Sequence, residues 1–303
     1  VKVMRESPES GFTYDNDATY FDSEKATATY SYQKRRQYSG LLGFIAEPGL
    51  CNTVDFRPGH VSPSRGILNQ LRKANRQARC AGKRILRFRS DSAAHSGAIF
   101  DYCNELGIKY FISLSKNAGV MESLHALAED QWQILPERPD VEWSETVYVT
   151  NAGSSMRMLV LRWSREQGDL FDGSYSYHAI ATNDNEIDPM SWLKFHNGRM
   201  SSENNHKELK SGLNGSYAPS NNFNLSRGYF LLNVLALNML VVLKLFYLGR
   251  SYLPWTVKTL RWRFLNVCGR IIRSGRRWVC KVINVTAETY ELFMNCKSRL
   301  MMC

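Results

Sequence analysis

The chain has 303 residues, enough for one large domain or two smaller ones, and its hydrophobic (44%) and charged (22%) fractions place it among globular proteins. The balance of 39 Lys+Arg against 28 Asp+Glu leaves a formal charge of +11, and residues 241–303 hold nearly all of it, with 12 cations and 2 acids. Seven scattered cysteines in no CxxC, and six histidines in no HxH or HExxH, exclude a disulfide frame and a zinc site; the thiols read as those of a reduced, cytosolic protein.

Residues 12–21, FTYDNDATYF, alternate and are rich in Tyr, Phe and Thr, which predicts a strand. ATATYSY at 26–32 predicts a second. The apolar run 41–59 is interrupted by Pro48-Gly49 and reads as parts of two strands joined by a tight turn. Residues 62–78 predict a helix, with Ser62 as N-cap, Pro63 at the first helical position, and an apolar stripe of Ile67, Leu68, Leu71 and Ala74. A strand over 83–91 ending on an acid, a helix over 95–107 closed by Gly107, and a strand over 108–115 follow. The alternation of strands and helices predicts an α/β architecture with a mixed sheet flanked by helices.

Residues 131–181 change character. Trp132, Trp143, Val147, Val149, Leu159, Leu161 and Trp163 alternate without helical spacing, which predicts a β-rich insertion. The helical pattern resumes at Asp188-Pro189 and carries HNGRMSSENNHKELK (196–210). On one continuous helix Arg199 and Glu203 lie about 40° apart, and Glu203 and Lys210 about 20°. One stripe then carries a carboxylate with cations on both sides. This is either a solvated face with i,i+4 pairs or a helix that offers one acid to a metal and bases to phosphate.

Residues 228–248 are long enough to span a bilayer, but Asn233, Asn238 and Lys244 interrupt them and no second span exists. They read as a buried core helix; a membrane-associated protein using this helix and the cationic tail is the rival. The tail RWRFLNVCGRIIRSGRRWVCKV (261–282) continues a helical, basic region that would add affinity for a polyanion, with Trp262 and Trp278 either buried or stacking on bases. The chain opens on Val1, and the first acidic motif follows almost at once. It reads as a fragment lacking an N-terminal portion.

Asp15 and Asp17 lie two apart on a strand and share a face. Asp91 ends a later strand, and Glu203 lies on the late helix. Acids so placed can converge at one sheet edge, where they repel unless a cation sits among them. Hard divalent ions take oxygen ligands, and two ions about 3.5–4 Å apart suit displacement at a phosphodiester. Individually each acid has a plainer reading: Asp17 as a surface acid near a turn, Asp91 as a helix cap.

As a set, DNDAT (15–19), GLLGFIAEPGLCNTVDFRPGHVSPSRG (40–66), LRFRSDSAAHS (86–96) and the late helix resemble the DDE transposases of the IS4-like superfamily, IS1380 group, over roughly residues 12–245. The helix motif is similar to that family's Tyr-x2-Arg-x3-Glu-x6-Lys signature, with Arg199, Glu203 and Lys210 in place and His196 where the tyrosine belongs. The resemblance implies an RNase H-like core in two parts, 1–115 and 182–226, split by the β-rich insertion 116–181 and followed by a helical, basic region 227–303. It implies that Asp17, Asp91 and Glu203 are the catalytic acids and bind two Mg²⁺ ions, with Mn²⁺ as a substitute. Asp17 is chosen over Asp15 because a small residue and Thr follow it. Arg199 and Lys210 would contact DNA at the element's end. Lys207 and Arg57 are further phosphate contacts or else surface charges. His60 and His95 read as structural or exposed, and Trp132, Trp143 and Trp163 as packing within the insertion rather than stacking on bases. The implied activity is metal-dependent cleavage at transposon ends and strand transfer into target DNA, by a homodimer on DNA in the bacterial cytoplasm, associated with the nucleoid. A truncated, inactive DNA-binding remnant is the alternative.

Overall fold

The computed structural model describes residues 1–150, 153–169, 173–266, 268–282 and 286–301. A short helix α1 (Lys2–Glu6) precedes the long strand β1 (Gly11–Asp22). Then come β2 (Thr29–Tyr30), β3 (Arg36–Ile45), β4 (Leu50–Pro58), α2 (Ile67–Cys80), β5 (Arg84–Ser90), α3 (Gly97–Leu106), β6 (Lys109–Ser113) and α4 (Ala118–His125). The middle of the chain supplies β7 (Gln133–Leu135), β8 (Arg138–Val149), β9 (Ser155–Asp169) and β10 (Gly173–Thr182). After these stand α5 (Pro189–Asn197), α6 (Met200–Lys207), α7 (Phe223–Val242), α8 (Val257–Leu260), β11 (Gly269–Ser274), β12 (Arg277–Val282) and α9 (Ala287–Met301).

Ten strands among the described residues form one mixed sheet, in the order β2-β3-β1-β5-β6-β10-β9-β8-β7, with β4 also paired to β3. β1, β5 and β6 run parallel, and β3 and β10 flank them antiparallel. The β-rich stretch therefore continues the main sheet through β10 and does not form a separate layer; its residues 151–152 and 170–172 lie outside the described residues.

Period-2 alternation divides the sheet into two faces. Phe12, Tyr14, Leu41, Phe88 and Tyr110 point toward α2 and α3, where Ile67, Leu71, Ala74, Ile99, Phe100 and Cys103 complete a core. The opposite face carries Leu42 and Phe44, covered by Phe230, Val234 and Leu237 of α7. It also carries Phe111, Leu159 and Ile180, covered by the fully buried Trp192 of α5. Burying each such large side chain contributes roughly 1.5–3 kcal/mol, which is why the alternation sets the register.

Several elements depart from the sequence reading. ATATYSY contributes only Thr29–Tyr30 to the sheet. The helix expected from Ser62 begins at Ile67, with Gly66 as N-cap at φ 97°, a left-handed conformation that suits glycine. Residues 62–66 instead turn, and Arg57 Nη1 donates to the carbonyls of Ser62 and Arg65. The expected helix over 196–210 is broken: α5 ends at Gly198, α6 restarts, and Glu208–Gly212 widen into a π turn. The 228–248 segment is not a helix buried all round. Ser226, Phe230, Asn233, Val234, Leu237 and Val241 face the protein, while Leu225, Leu232, Leu235 and Met239 are exposed. With its π extension it is long and apolar enough, by length and composition, to cross a membrane. The tail at 261–282 is not helical throughout: β11 and β12 form a hairpin turning at Gly275, φ 62°, and Trp262 and Trp278 are both exposed. β-branched Ile271, Ile272 and Val279 favour the strands, and glycine supplies the positive φ. Val267, 283–285, Met302 and Cys303 lie outside the described residues.

Candidate active site

β1 and β5 are parallel neighbours with Asn16 opposite Ser90, so the next residue of each, Asp17 and Asp91, emerges at the same end of the sheet. Alternation puts Asp15, Asp17 and Asp91 on the face covered by α5 and α6. Asp91 leaves β5 as the N-cap of a single 3-10 turn, its Oδ1 accepting from Ala93 N at 3.0 Å. Asp91 is thus a cap, as its plainer reading predicts, and its charge also acts on Asp17.

The break at Gly198 aims α6 across β1. Arg199 Nη1 lies 3.1 Å from Asp17 Oδ2, and its Nη2 3.0 Å from Glu203 Oε1. The guanidinium thus bridges two of the three predicted acids. Asp17 is enclosed, its side chain 15% exposed, whereas Glu203 is 51% exposed. Burial raises the Asp17 pKa to about 6; Arg199 opposes the rise, and the charges of Asp91 and Glu203 add to it. Asp17 therefore sits among like charges with one arginine as compensation.

Lys210, on the π turn, places Nζ 5.4 Å from the centre of the Phe21 ring. Burial lowers its pKa, and Asp17 and Asp22 pull it back. Lys207 is exposed and off the Arg199–Glu203–Lys210 stripe. Arg57 is only 5% exposed and so is not a surface charge; its Nε and Nη2 have no hydrogen-bond partner. His196 is buried, 3.2 Å from Ser113 Oγ, with its pKa depressed to about 3 by burial and by the charges of His178 and Arg199. His95 bonds Ser115 and packs on Phe100 and Tyr148, while His60 bonds Thr29. Trp132 packs under Arg162, and Trp143 and Trp163 pack against the Trp192 core.

Sequence reasoning missed two groups. His206 Nδ1 stands 3.9 Å from Asp17 Oδ2, buried and held neutral, its pKa depressed to about 3. It falls on the same helical stripe as 199, 203 and 210, which was the available signal. Asp15 pairs with Arg89 at 2.7 Å, and Arg89 Nη1 donates to Phe195 O at 2.7 Å.

Among the described residues, no three metal-ligating side chains stand close enough to hold an ion as the site is arranged. The donor chemistry nevertheless fits a hard divalent cation. Asp17, Asp91 and Glu203 offer carboxylate oxygens, and a cation beside Asp17 would favour its charged form. Arg199 would have to release Asp17 and Glu203 for those oxygens to turn to a metal.

A family model described as transposase DDE domain, group 1, matches residues 6–302. Among solved structures, the chain is similar to a piggyBac transposase synaptic complex with hairpin DNA, at 9% identity and a TM-score of 0.45. The match covers 77% of this chain and 47% of that one, so the chain spans about half the length of that protein. No curated protein matches the chain.

Proposed function

The chain belongs to the DDE transposases of domain group 1, and from that premise we propose that it cleaves DNA at transposon ends and transfers the strand into target DNA. Within the family we assign it to the IS4-like superfamily, IS1380 group, with an RNase H-like core at 1–115 and 182–226, the insertion 116–181 and the C-terminal region 227–303. The reading rests on one observation: a single arginine, Arg199, joins Asp17 to Glu203, beside Asp91.

Asp17, Asp91 and Glu203 would hold two Mg²⁺ ions, with Mn²⁺ as substitute. When bound, such ions supply Lewis acidity to the attacking and leaving oxygens of a phosphodiester. Water attacks the phosphorus at the element's end, the bond to the 3′ oxygen breaks, and that oxygen departs as a 3′-OH. The hydroxyl then attacks a target phosphate in line, losing its proton as the new P–O bond forms, and the target strand's own 3′ oxygen is expelled and leaves protonated as a 3′-OH. Arg199 and Lys210 hold the backbone, Arg199 as a two-point donor and Lys210 as a point charge. We also assign Lys207 and Arg57 to this contact; Lys207 is exposed, whereas Arg57, at 5% exposure, would have to be uncovered to reach a phosphate. We expect a homodimer on paired ends in the bacterial cytoplasm, associated with the nucleoid and without a membrane.

The Arg199 bridge also favours a second reading, an inactive DNA-binding remnant in which the arginine permanently occupies the acids. Incubation with element-end DNA and Mg²⁺ or Mn²⁺ separates the two. Nicking that disappears in Asp17→Ala and Glu203→Ala supports the enzyme; metal-independent binding without nicking supports the remnant.

A further inference from the structure

Helix α2 lies on the sheet face opposite the acids, and its outer side is a row of arginines. Arg72, Arg76 and Arg79 recur at i, i+4 and i+7, within about 60° of one another. All three are exposed, and α2 contains no acid. Among the described residues none of them is in an ion pair. They line an open cavity of about 510 Å³ with Asn75, Cys80 and Tyr102. Arg72 lies 5.5 Å over the Tyr102 ring, and Asn75 Nδ2 donates to Tyr102 Oη at 3.3 Å, so the floor of the cavity is built from packed side chains. Arg79 and Arg84 line an adjoining recess of about 350 Å³. The neighbouring acids, Asp101 and Glu105, are exposed on α3.

We propose that this face of α2 binds the phosphate backbone of a second stretch of duplex DNA, distinct from the stretch at Asp17, Asp91 and Glu203. The inference rests on the transposase reading for the identity of the polyanion. Arg72 and Arg79 are seven residues apart, about 10 Å along the helix axis. That length matches about three phosphates of one strand at roughly 3.4 Å each. Cations that no protein carboxylate neutralises are available to displace counterions, which is the sequence-independent part of DNA affinity. The body of α2 and the sheet lie between this row and the acids, so a straight duplex seated at the acids does not reach it. The row therefore serves another segment, either flanking or target DNA.

Cys80, an exposed free thiol lining the same cavity, provides the probe. Maleimide labelling of the full chain is followed by peptide mass spectrometry, which separates Cys80 from the exposed Cys268 and Cys280. A duplex lacking terminal repeats should slow Cys80 labelling several-fold at low salt, with protection lost at high salt. Arg72→Gln/Arg76→Gln/Arg79→Gln should abolish the protection and reduce the slope of log affinity against log salt by about 2.7, from three contacts at ~0.9 each. These positions are exposed, and a circular dichroism melt checks that the variant folds. Unchanged Cys80 labelling under saturating duplex, or a variant with an undiminished slope, overturns the inference. So does protection by phosphatidylserine vesicles and none by duplex. A chain that nicks element ends but leaves Cys80 unprotected refutes the second surface alone. One that protects Cys80 and never nicks keeps the surface and removes the proposed reaction.

Discussion

Arg89 grips Asp15 at two points, Nε to Oδ1 at 2.7 Å and Nη2 to Oδ2 at 2.8 Å, and spends its remaining Nη1 on the carbonyl of Phe195 at 2.7 Å. The pair is buried between β1 and β5, and the third bond reaches the last turn of α5. The Phe195 ring packs against the guanidinium at 4.8 Å. The elbow that carries Arg199 and Glu203 is thereby tied to the strand that carries Asp17. Asp15 holds the frame, and its neighbour two residues on faces the site.

Asp15→Asn should destabilise the fold by about 3–5 kcal/mol, because it leaves the Arg89 guanidinium buried without a countercharge. Urea denaturation at neutral pH measures this as a lower midpoint at unchanged slope. A loss under 1 kcal/mol would mean that the Phe195 carbonyl alone satisfies Arg89.

Gly198→Ala should disturb the same elbow. Its backbone, φ −57°, suits any residue, so the constraint is space. An added Cβ would overlap Arg89 Nη1 and stand 3.0 Å from Phe195 O. Overpacking of this kind costs about 1–3 kcal/mol. Nicking of element-end DNA should fall more than stability does, since α6 is displaced from β1; equal retention of both would refute the tie.

Asp17→Asn should stabilise the metal-free chain at pH 7 while abolishing cleavage. The folded pKa of about 6 exceeds the ordinary 3.8, so folding favours the protonated form. Its contribution is full below pH 3.8 and is lost as pH rises through about 6. Asparagine imitates the neutral form, and the gain should be roughly 2–3 kcal/mol at about 1.4 kcal/mol per pKa unit. Denaturation of both chains between pH 4 and 7 should show the difference growing with pH.

His196 has the opposite sign. Its folded pKa is depressed from 6.5 to about 3, so the neutral ring is the folded form. The unfolded chain binds the proton first, and stability falls as pH drops from 6.5 toward 3, by up to about 1.4 kcal/mol per pH unit. His196→Gln should flatten that part of the acid-denaturation profile. Persistence of the full slope would assign it to another group, with the similarly depressed His206 as the first to test.

What the chain reveals without coordinates is what short-range chemistry controls. Tyr, Phe and Thr at 12–21 make a strand, Gly49 at φ 71° makes the turn after Pro48, and Gly107 at φ 63° ends a helix. These outcomes depend on residues within a few positions. The charged stripe at 199, 203 and 210 was legible for the same reason, as was the concentration of positive charge after residue 240. The start of α2 was missed because Arg57, a tertiary partner, claims the carbonyls of Ser62 and Arg65 that a helix beginning at Ser62 would have used.

Only the tertiary structure decided how distant residues share space. Local spacing put Asp15 and Asp17 on one face and could not say which would meet Arg89 and which Arg199. It allowed a continuous helix through Gly198, whereas in the fold α5 ends there and Arg89, seated on another strand, fills the space that a side chain at 198 would need. It left Arg57 open as a surface charge until the 59–66 loop enclosed it. Propensity and periodicity act over a few residues, but the partner of a buried charge is set by sheet register and by which helix covers which face. Those are properties of the assembled fold.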